Sequence, residues 1–98
     1  MGEVRVRRLS AQPYPDGRRV RVAVGLTPFL DRPNLEFEVF NAVGESVGAT
    51  SVIESVDHEL DLTLHLRGPL PGGRHTLRVT LSYFDGPPPI SAETEFEV

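Results

Sequence analysis

Short runs in which apolar and polar residues alternate recur along most of this chain, and turn residues separate them. Successive side chains of a strand point to opposite faces, so such alternation gathers the apolar side chains on one face. The apolar positions of the clearest runs are Val4/Val6, Val20/Val22/Val24/Leu26, Leu35/Phe37/Val39, Leu60/Leu62/Leu64/Leu66 and Leu77/Val79/Leu81. Several strands at even spacing predict a small β-sandwich or barrel. No segment has the apolar spacing of a helix.

Seven strands can be placed between turns rich in Pro and Gly, which end strands by removing a ladder donor or by allowing positive φ. The predicted strands cover residues 3–10, 18–27, 35–41, 46–55, 59–67, 74–84 and 90–98. A chain of 98 residues can bury one core without disulfides, and Cys is absent. We therefore expect a single domain, residues 1–98. Its predicted fold is an all-β, seven-stranded antiparallel immunoglobulin-like Greek-key β-sandwich.

Three segments near the end of the chain carry a family resemblance. Residues 72–80, GGRHTLRVT, resemble the penultimate strand of bacterial immunoglobulin-like domains, in which a G-x-H-T-L-x-V-x run is common. The preceding Leu70-Pro71-Gly72 is similar to the turn entering that strand in fibronectin type III domains, and residues 94–98 are similar to their last strand. The resemblance implies a fold rather than an activity, because such modules serve as spacers, adhesins and binding platforms. It also places His75 where those modules carry a corner Tyr, which implies an imidazole hydrogen-bonded to the backbone.

The sequence offers no arrangement of residues suited to catalysis. There is no Cys, no Ser lies in a nucleophile-elbow context, and the glycines do not precede a helix as in a phosphate-binding loop. We therefore expect a protein that is not an enzyme and that needs no cofactor. The net charge of −4 and the lack of aromatic residues interleaved with the basic ones argue against a nucleic-acid partner.

Nothing in the chain predicts insertion into a membrane or secretion. No apolar run approaches the roughly 20 residues of a membrane span. The N-terminal sequence MGEVRVRRLS lacks the apolar stretch of a signal peptide. We therefore expect a cytoplasmic protein for the chain as written, and an extracellular one if it was excised from a larger secreted protein.

Polar residues alternate with leucines on the fifth strand, which predicts a charged solvent face. The residues on that face are Asp57, Glu59, Asp61, Thr63 and His65. Its carboxylates are of the kind that bind a hard divalent cation. The interpretation we favour is a set of cross-strand ion pairs, because the fifth strand of such a sandwich lies beside the second. The expected pairs join Arg19 and Arg21 to Asp61 and Glu59, with Arg5 and Arg7 on the same outer face.

The loops after the second and sixth strands are expected to emerge at the same end of the sandwich, and we predict a protein-binding site there. Loops on a rigid scaffold often carry recognition, and consecutive prolines lower the entropy cost of ordering. The residues assigned to this site are Phe29, Phe84, Pro87, Pro88 and Pro89. Alternatively, Phe29 and Phe84 pack inward over the core. Phe40 has the outward parity of the third strand and is assigned as a second exposed contact, unless a bulge turns it inward.

The fourth predicted strand is rich in small residues, so its register is weakly specified and it suits the edge of a sheet. Such an edge can accept a strand from a protein partner or from a second copy, giving a homodimer. The function we expect is therefore a non-catalytic protein-interaction or structural module. The alternative is an accessory domain that binds carbohydrate or a divalent cation. The absence of Trp argues against carbohydrate, because sugars usually stack on aromatic rings.

Overall fold

The computed structural model describes residues 4–29, 32–67, 73–83, 86 and 88–98, and every predicted strand is present among them. The strands are β1 (Val6–Pro13), β2 (Arg19–Leu26), β3 (Asn34–Phe40), β4 (Ser46–Val52), β5 (Glu59–His65), β6 (Arg74–Ser82) and β7 (Ile90–Glu97). The bounds differ by three residues at β1, which continues to Pro13 whereas the prediction ended it at Ser10, and at β4, which ends at Val52 whereas the prediction continued it to Ser55. Pro13 is tolerated because β1 is an edge strand.

The strands form two antiparallel sheets, ordered β1-β2-β5 and β4-β3-β6-β7. β2 pairs with β5 and β3 pairs with β6, so each of these pairs joins strands that are distant in sequence. The predicted seven-stranded antiparallel sandwich is confirmed. Within the described part of the chain there is no helix, and hence none long and apolar enough to cross a membrane.

The core lies between the two sheets and is built from the alternating apolar positions of the sequence. Its wholly buried members include Val20, Val22, Val24, Leu35, Val39, Leu77 and Val79. Phe37 is the largest side chain among them and faces Val79 across the β3–β6 pair. Burying each such side chain is worth about 1.5–3 kcal/mol relative to leaving it exposed. The two-residue period therefore determines which face of each sheet is buried.

β1 contains a bulge that brings one more arginine to the outer face than the alternation predicted. Val6 pairs with Leu26, but Arg8 pairs with Gly25, so an extra residue is inserted between Val6 and Arg8. A bulge of this kind reverses the parity of the strand beyond it. Arg8 therefore lies on the outer face, beside Gly25, and the expected outward place of Arg7 stays a prediction.

The strand registers bring three connections together at one end of the sandwich, which we call the loop end: the described residues 27–29, 32–33, 53–58, 83, 86 and 88–89. Asn34 at the start of β3 pairs with Ser82 at the end of β6, and Leu81 pairs with Ile90 at the start of β7. The prediction that the loops after β2 and β6 share one end is confirmed. The connection from β4 to β5 joins them there.

Candidate functional site

Phe29 lies at the loop end but is partly built into the core. Its side chain is half-buried and packs against the buried cluster. The ring of His58 meets it edge-on, with 4.7 Å between ring centroids and an angle of 83° between the planes. Phe29 therefore packs largely inward, which was the alternative expected from the sequence. Only part of its ring is accessible to a partner.

The connection between β4 and β5 carries two large apolar side chains that are exposed at the loop end. Ile53 is 61% exposed and Val56 is 62% exposed. Neither residue was predicted from the sequence, because the fourth strand was expected to continue to Ser55, which makes Ile53 a strand residue. β4 ends at Val52, and Glu54 adopts a positive φ of 50°, which turns the chain out of the sheet.

Hydrogen bonds hold this connection firmly against the neighbouring loop. The backbone N–H of Ser55 donates to the carbonyl of Pro33 at 2.8 Å, and the N–H of Glu54 donates to Oδ1 of the buried Asn34 at 2.9 Å. The N–H of Leu26 donates to the carbonyl of His58 at 2.7 Å. The exposed apolar residues at 53 and 56 therefore stand on an ordered backbone, so a partner would pay little entropy to bind them.

The remaining predicted residues of the loop end divide into two groups. Pro88 and Pro89 are exposed, as a contact surface requires. Phe84 and Pro87 lie outside the described residues. Pro28 is also exposed, next to Phe29. The loop end thus combines prolines and aliphatic side chains around a half-buried Phe29.

Phe40 faces outward from β3, as its parity predicted, although the β3–β4 register shifts beside it. The guanidinium carbon of Arg78 lies 4.9 Å from the centroid of the Phe40 ring. Nε of Arg78 also donates to Glu93 at 2.8 Å, which holds the guanidinium in place. The ring is half-buried under this cation, so the geometry gives Phe40 a cation–π role within the sheet face.

The outer face of the β1-β2-β5 sheet carries cross-strand ion pairs, as predicted from the sequence, but Glu59 and Arg19 have partners other than the predicted ones. Arg21 binds Asp61 through two guanidinium nitrogens, with Nε 2.9 Å from Oδ1, as predicted. Glu59 binds Arg8 at 2.9 Å instead of an arginine of β2, because the β1 bulge brings Arg8 to this face. Arg19 turns away from β5, binding Asp16 at 2.9 Å and lying over the Tyr14 ring.

These pairs leave little support for a cation site on β5. Donation from Arg21 is the main cause that holds the pKa of Asp61 below its usual 3.8, so the carboxylate is already satisfied by a fixed positive charge. Among the residues that the structure describes, no three His, Cys, Asp or Glu side chains come together as metal ligands would.

His75 has the buried structural role that the family resemblance implied. The side chain is fully buried, and Nδ1 lies 3.0 Å from the carbonyl oxygen of Gly73, so Nδ1 carries the donated hydrogen. Its ring packs against Phe96, with centroids 5.5 Å apart. Nε2 is buried and has no hydrogen-bond partner among the residues that the structure describes. A nitrogen enclosed in this way has no access to a substrate, so His75 belongs to the core.

Comparison with known proteins supports the fold and does not assign a family. No protein-family model and no curated protein matches the chain. Two crystal structures of the β-glucuronidase of Parabacteroides merdae, one with glycerol in its active site, are similar in fold, with TM-scores of 0.71 and 0.72 at 13% identity. The match covers 97% of this chain but only 13–14% of the glucuronidase. The chain therefore resembles one small part of a much larger enzyme.

Proposed function

We propose that this chain is a non-catalytic accessory module of the immunoglobulin-like or fibronectin type III-like kind, which docks through its loop end onto another protein or domain. The observation that carries the proposal is the exposure of Ile53 and Val56 on a connection fixed by backbone hydrogen bonds. Apolar side chains held in water on an ordered backbone favour association, because docking removes them from water at little entropic cost. The chain is similar in fold to a small part of a much larger enzyme, which is consistent with an accessory role.

The proposal is tested by a pull-down from a lysate of the native organism. Three proteins serve as bait: the wild type, an Ile53→Ser/Val56→Ser variant and a Val43→Ser variant. Val43 is 76% exposed in the β3–β4 turn, at the opposite end of the sandwich, so it is a matched apolar control. The expected result is a protein from the native organism that is retained by the wild type and by Val43→Ser but lost by the double variant. Equal retention by all three proteins would remove the loop end as the docking site.

A carbohydrate-binding accessory domain is the second candidate, because the structural neighbours are parts of a glycosidase. The described aromatic residues give it weak support, since Tyr14 is covered by Arg19 and Phe40 by Arg78. Electrophoresis through gels containing polysaccharides separates the two candidates. Retardation of the wild type that is unchanged in the Ile53→Ser/Val56→Ser variant would favour carbohydrate binding over docking through the loop end.

A further inference from the structure

β4 is an edge strand that lacks the protection usual for such strands. It lies at one end of the four-stranded sheet, and Ser46–Val52 contains neither a charged residue nor a proline. Natural sheets normally place charges or prolines on their edges, because alternate N–H and C=O groups of an edge strand are left free to pair with another chain. β7, at the opposite edge, carries Glu93, Glu95 and Glu97.

The described residues cover the free edge of β4 along its first part and leave the rest of that edge open. The N–H of Arg67, just after β5, donates to the carbonyl of Val47 at 2.7 Å. Gly48 also lies close to β5, since a Cβ on it would stand 3.0 Å from the backbone oxygen of His65. Beyond this point residues 49–51 are exposed. The second half of β4 is therefore accessible to an additional strand.

Apolar side chains lie beside the open half of this edge. Val52, Leu60 and Leu62 pack against the core but are only half-buried, whereas the inward residues of β2 and β3 are fully buried. A strand added to β4 would point every second side chain toward this side of the sandwich. Apolar residues at those positions would complete the burial of Val52, Leu60 and Leu62.

The outer side of the same edge is acidic and unneutralised. Glu36 and Glu38 of β3 lie directly opposite Ser51 and Ala49, and none of the ion pairs among the described residues includes either carboxylate. The same is true of the two glutamates that flank β4, which are Glu45 and Glu54. By contrast, Glu93, Glu95 and Glu97 of β7 all bind Arg74 or Arg78. Among the described residues, the carboxylates beside β4 therefore have no ion-pair partner, although Arg78 is the register partner of Glu38 on β6.

The short side chains of β4 leave those carboxylates within reach of a neighbouring strand. Ala49 and Ser51 separate Glu38 and Glu36 from the free edge, and a shallow depression is lined by these four residues together with Phe37, Thr50, Arg78 and Thr80. A Lys or Arg on an added strand can extend over Ala49 or Ser51 to a carboxylate of β3. Arg78 does not fill that role, because its Nε donates to Glu93 on the other side.

A second copy of this chain does not fit the edge. Only the second half of β4 is open, and in a second copy this half carries no Lys or Arg and is followed by Glu54. Pairing of two copies would therefore bring the carboxylates of both edges together with no basic side chain between them. Like charges in such positions are destabilising. The charge of the edge therefore selects a different strand, one that is basic.

We propose that the β4 edge binds an extended segment of a partner protein in which Arg or Lys alternates with apolar residues, by addition of that segment as a new strand. The basic side chains bind Glu36 and Glu38 on the outer face, and the apolar side chains cover Leu60 and Leu62 on the inner face. The backbone of β4 supplies the main-chain hydrogen bonds. This surface is separate from the loop end, so the two sites are tested independently.

The probe is a fluorescently labelled peptide of alternating arginine and valine, with blocked ends and the length of β4, titrated with the whole chain. The expected result is saturable binding together with slower hydrogen exchange of the β4 amides. Two further peptides of the same sequence are N-methylated, one on its valines and the other on its arginines. Alternate N–H groups of a strand point to the same edge, so one of the two peptides loses every donor that faces β4 and is expected not to bind. No saturable binding of the first peptide up to about 1 mM, or equal binding of all three peptides, would overturn the proposal.

Two double variants separate site-specific binding from general attraction between opposite charges. Glu36→Gln/Glu38→Gln and Glu95→Gln/Glu97→Gln change the net charge equally, the first on β3 beside the β4 edge and the second on β7 at the opposite edge of the same sheet. The first is expected to weaken binding about fivefold or more, and the second to leave it nearly unchanged. Equal weakening by both would contradict the proposal. The Ile53→Ser/Val56→Ser variant is expected to bind the peptide normally, so a failure of the loop-end proposal leaves this result intact.

Discussion

His75 of β6 and Phe96 of β7 are register partners, and their rings pack 5.5 Å apart inside the core at an angle of 35°. The imidazole binds the carbonyl of Gly73 through Nδ1 and leaves Nε2 enclosed without a partner. The imidazole fills space in the core as an apolar side chain would, but only one of its two nitrogens is hydrogen-bonded among the described residues. Its contribution to stability should therefore come mainly from packing.

Replacing His75 by Ala is expected to lower the free energy of unfolding by about 2–4 kcal/mol, because it leaves a cavity against Phe96. Replacing it by Leu is expected to cost less than about 1.5 kcal/mol, since Leu fills the space and removes the unpaired Nε2. The carbonyl of Gly73 keeps the hydrogen bond from the N–H of Val98. Urea denaturation of the two variants checks this, and an equal cost for both would assign the stability to the hydrogen bond of His75.

The pairing of Arg21 with Asp61 is expected to make stability depend on pH in acid. The pKa of Asp61 is lowered in the folded protein from its usual 3.8, first by hydrogen bonding from Arg21. Its contribution is therefore fully present above the unfolded pKa and is lost as the pH falls through the lower folded value. The melting temperature of Asp61→Asn should lie slightly below that of the wild type at pH 7, and the difference should vanish as the pH falls well below 3.8. Asp57→Asn, on the loop before β5, is the control.

Adding a methyl group at Gly48 or at Gly25 is expected to have different costs. A Cβ at Gly48 meets the backbone oxygen of His65 at 3.0 Å, so β4 and β5 would have to separate, at about 1–3 kcal/mol. A Cβ at Gly25 meets the Glu59 carboxylate at 2.7 Å, but that group ends a flexible side chain and can move. Gly25→Ala should then cost less than about 1 kcal/mol, mostly through loss of the Arg8 pair. Thermal denaturation of both variants tests the order, and a larger loss for Gly25→Ala would contradict it.

Glu54 is expected to tolerate replacement by Gly with a gain in stability. Its φ of 50° lies in the left-handed region, which costs a residue with a Cβ about 1–2 kcal/mol. The greater freedom of Gly in the unfolded chain offsets part of this, so a net gain of about 0.5–1 kcal/mol is expected. Gly44, at φ 86° in the β3–β4 turn, is the reciprocal case, and Gly44→Ala should destabilise the fold. Chemical denaturation of the two variants should show opposite signs.

The contact between Phe40 and Arg78 is expected to contribute about 0.5–1 kcal/mol of coupling. A double-mutant cycle with Phe40→Leu and Arg78→Met measures it, because Leu keeps most of the apolar area and Met keeps most of the side-chain length. Additive losses in the double variant would show that the cation lies over the ring without stabilising it.

The alternation of the sequence predicted the strands and the buried face, because burial of one sheet face imposes a two-residue period. It did not predict that Arg8 faces outward from β1, since a single inserted residue reverses the parity. The Arg7-Arg8 doublet, which interrupts the alternation, was the available signal. Ile53 and Val56 were missed because a strand and an extended loop give similar local patterns. The strand ends there because the N–H of Glu54 donates to Asn34, a residue distant in sequence.

The pairing of β2 with β5 and of β3 with β6 has a kinetic consequence. Val22 meets Leu62, and Phe37 meets Val79, across separations of about forty positions, so the chain must close long loops before these contacts stabilise it. Folding should therefore be slow for a domain of this size, on a scale of milliseconds to seconds. Substitutions in these two central pairs should slow folding itself, whereas those in the local turns should mainly speed unfolding.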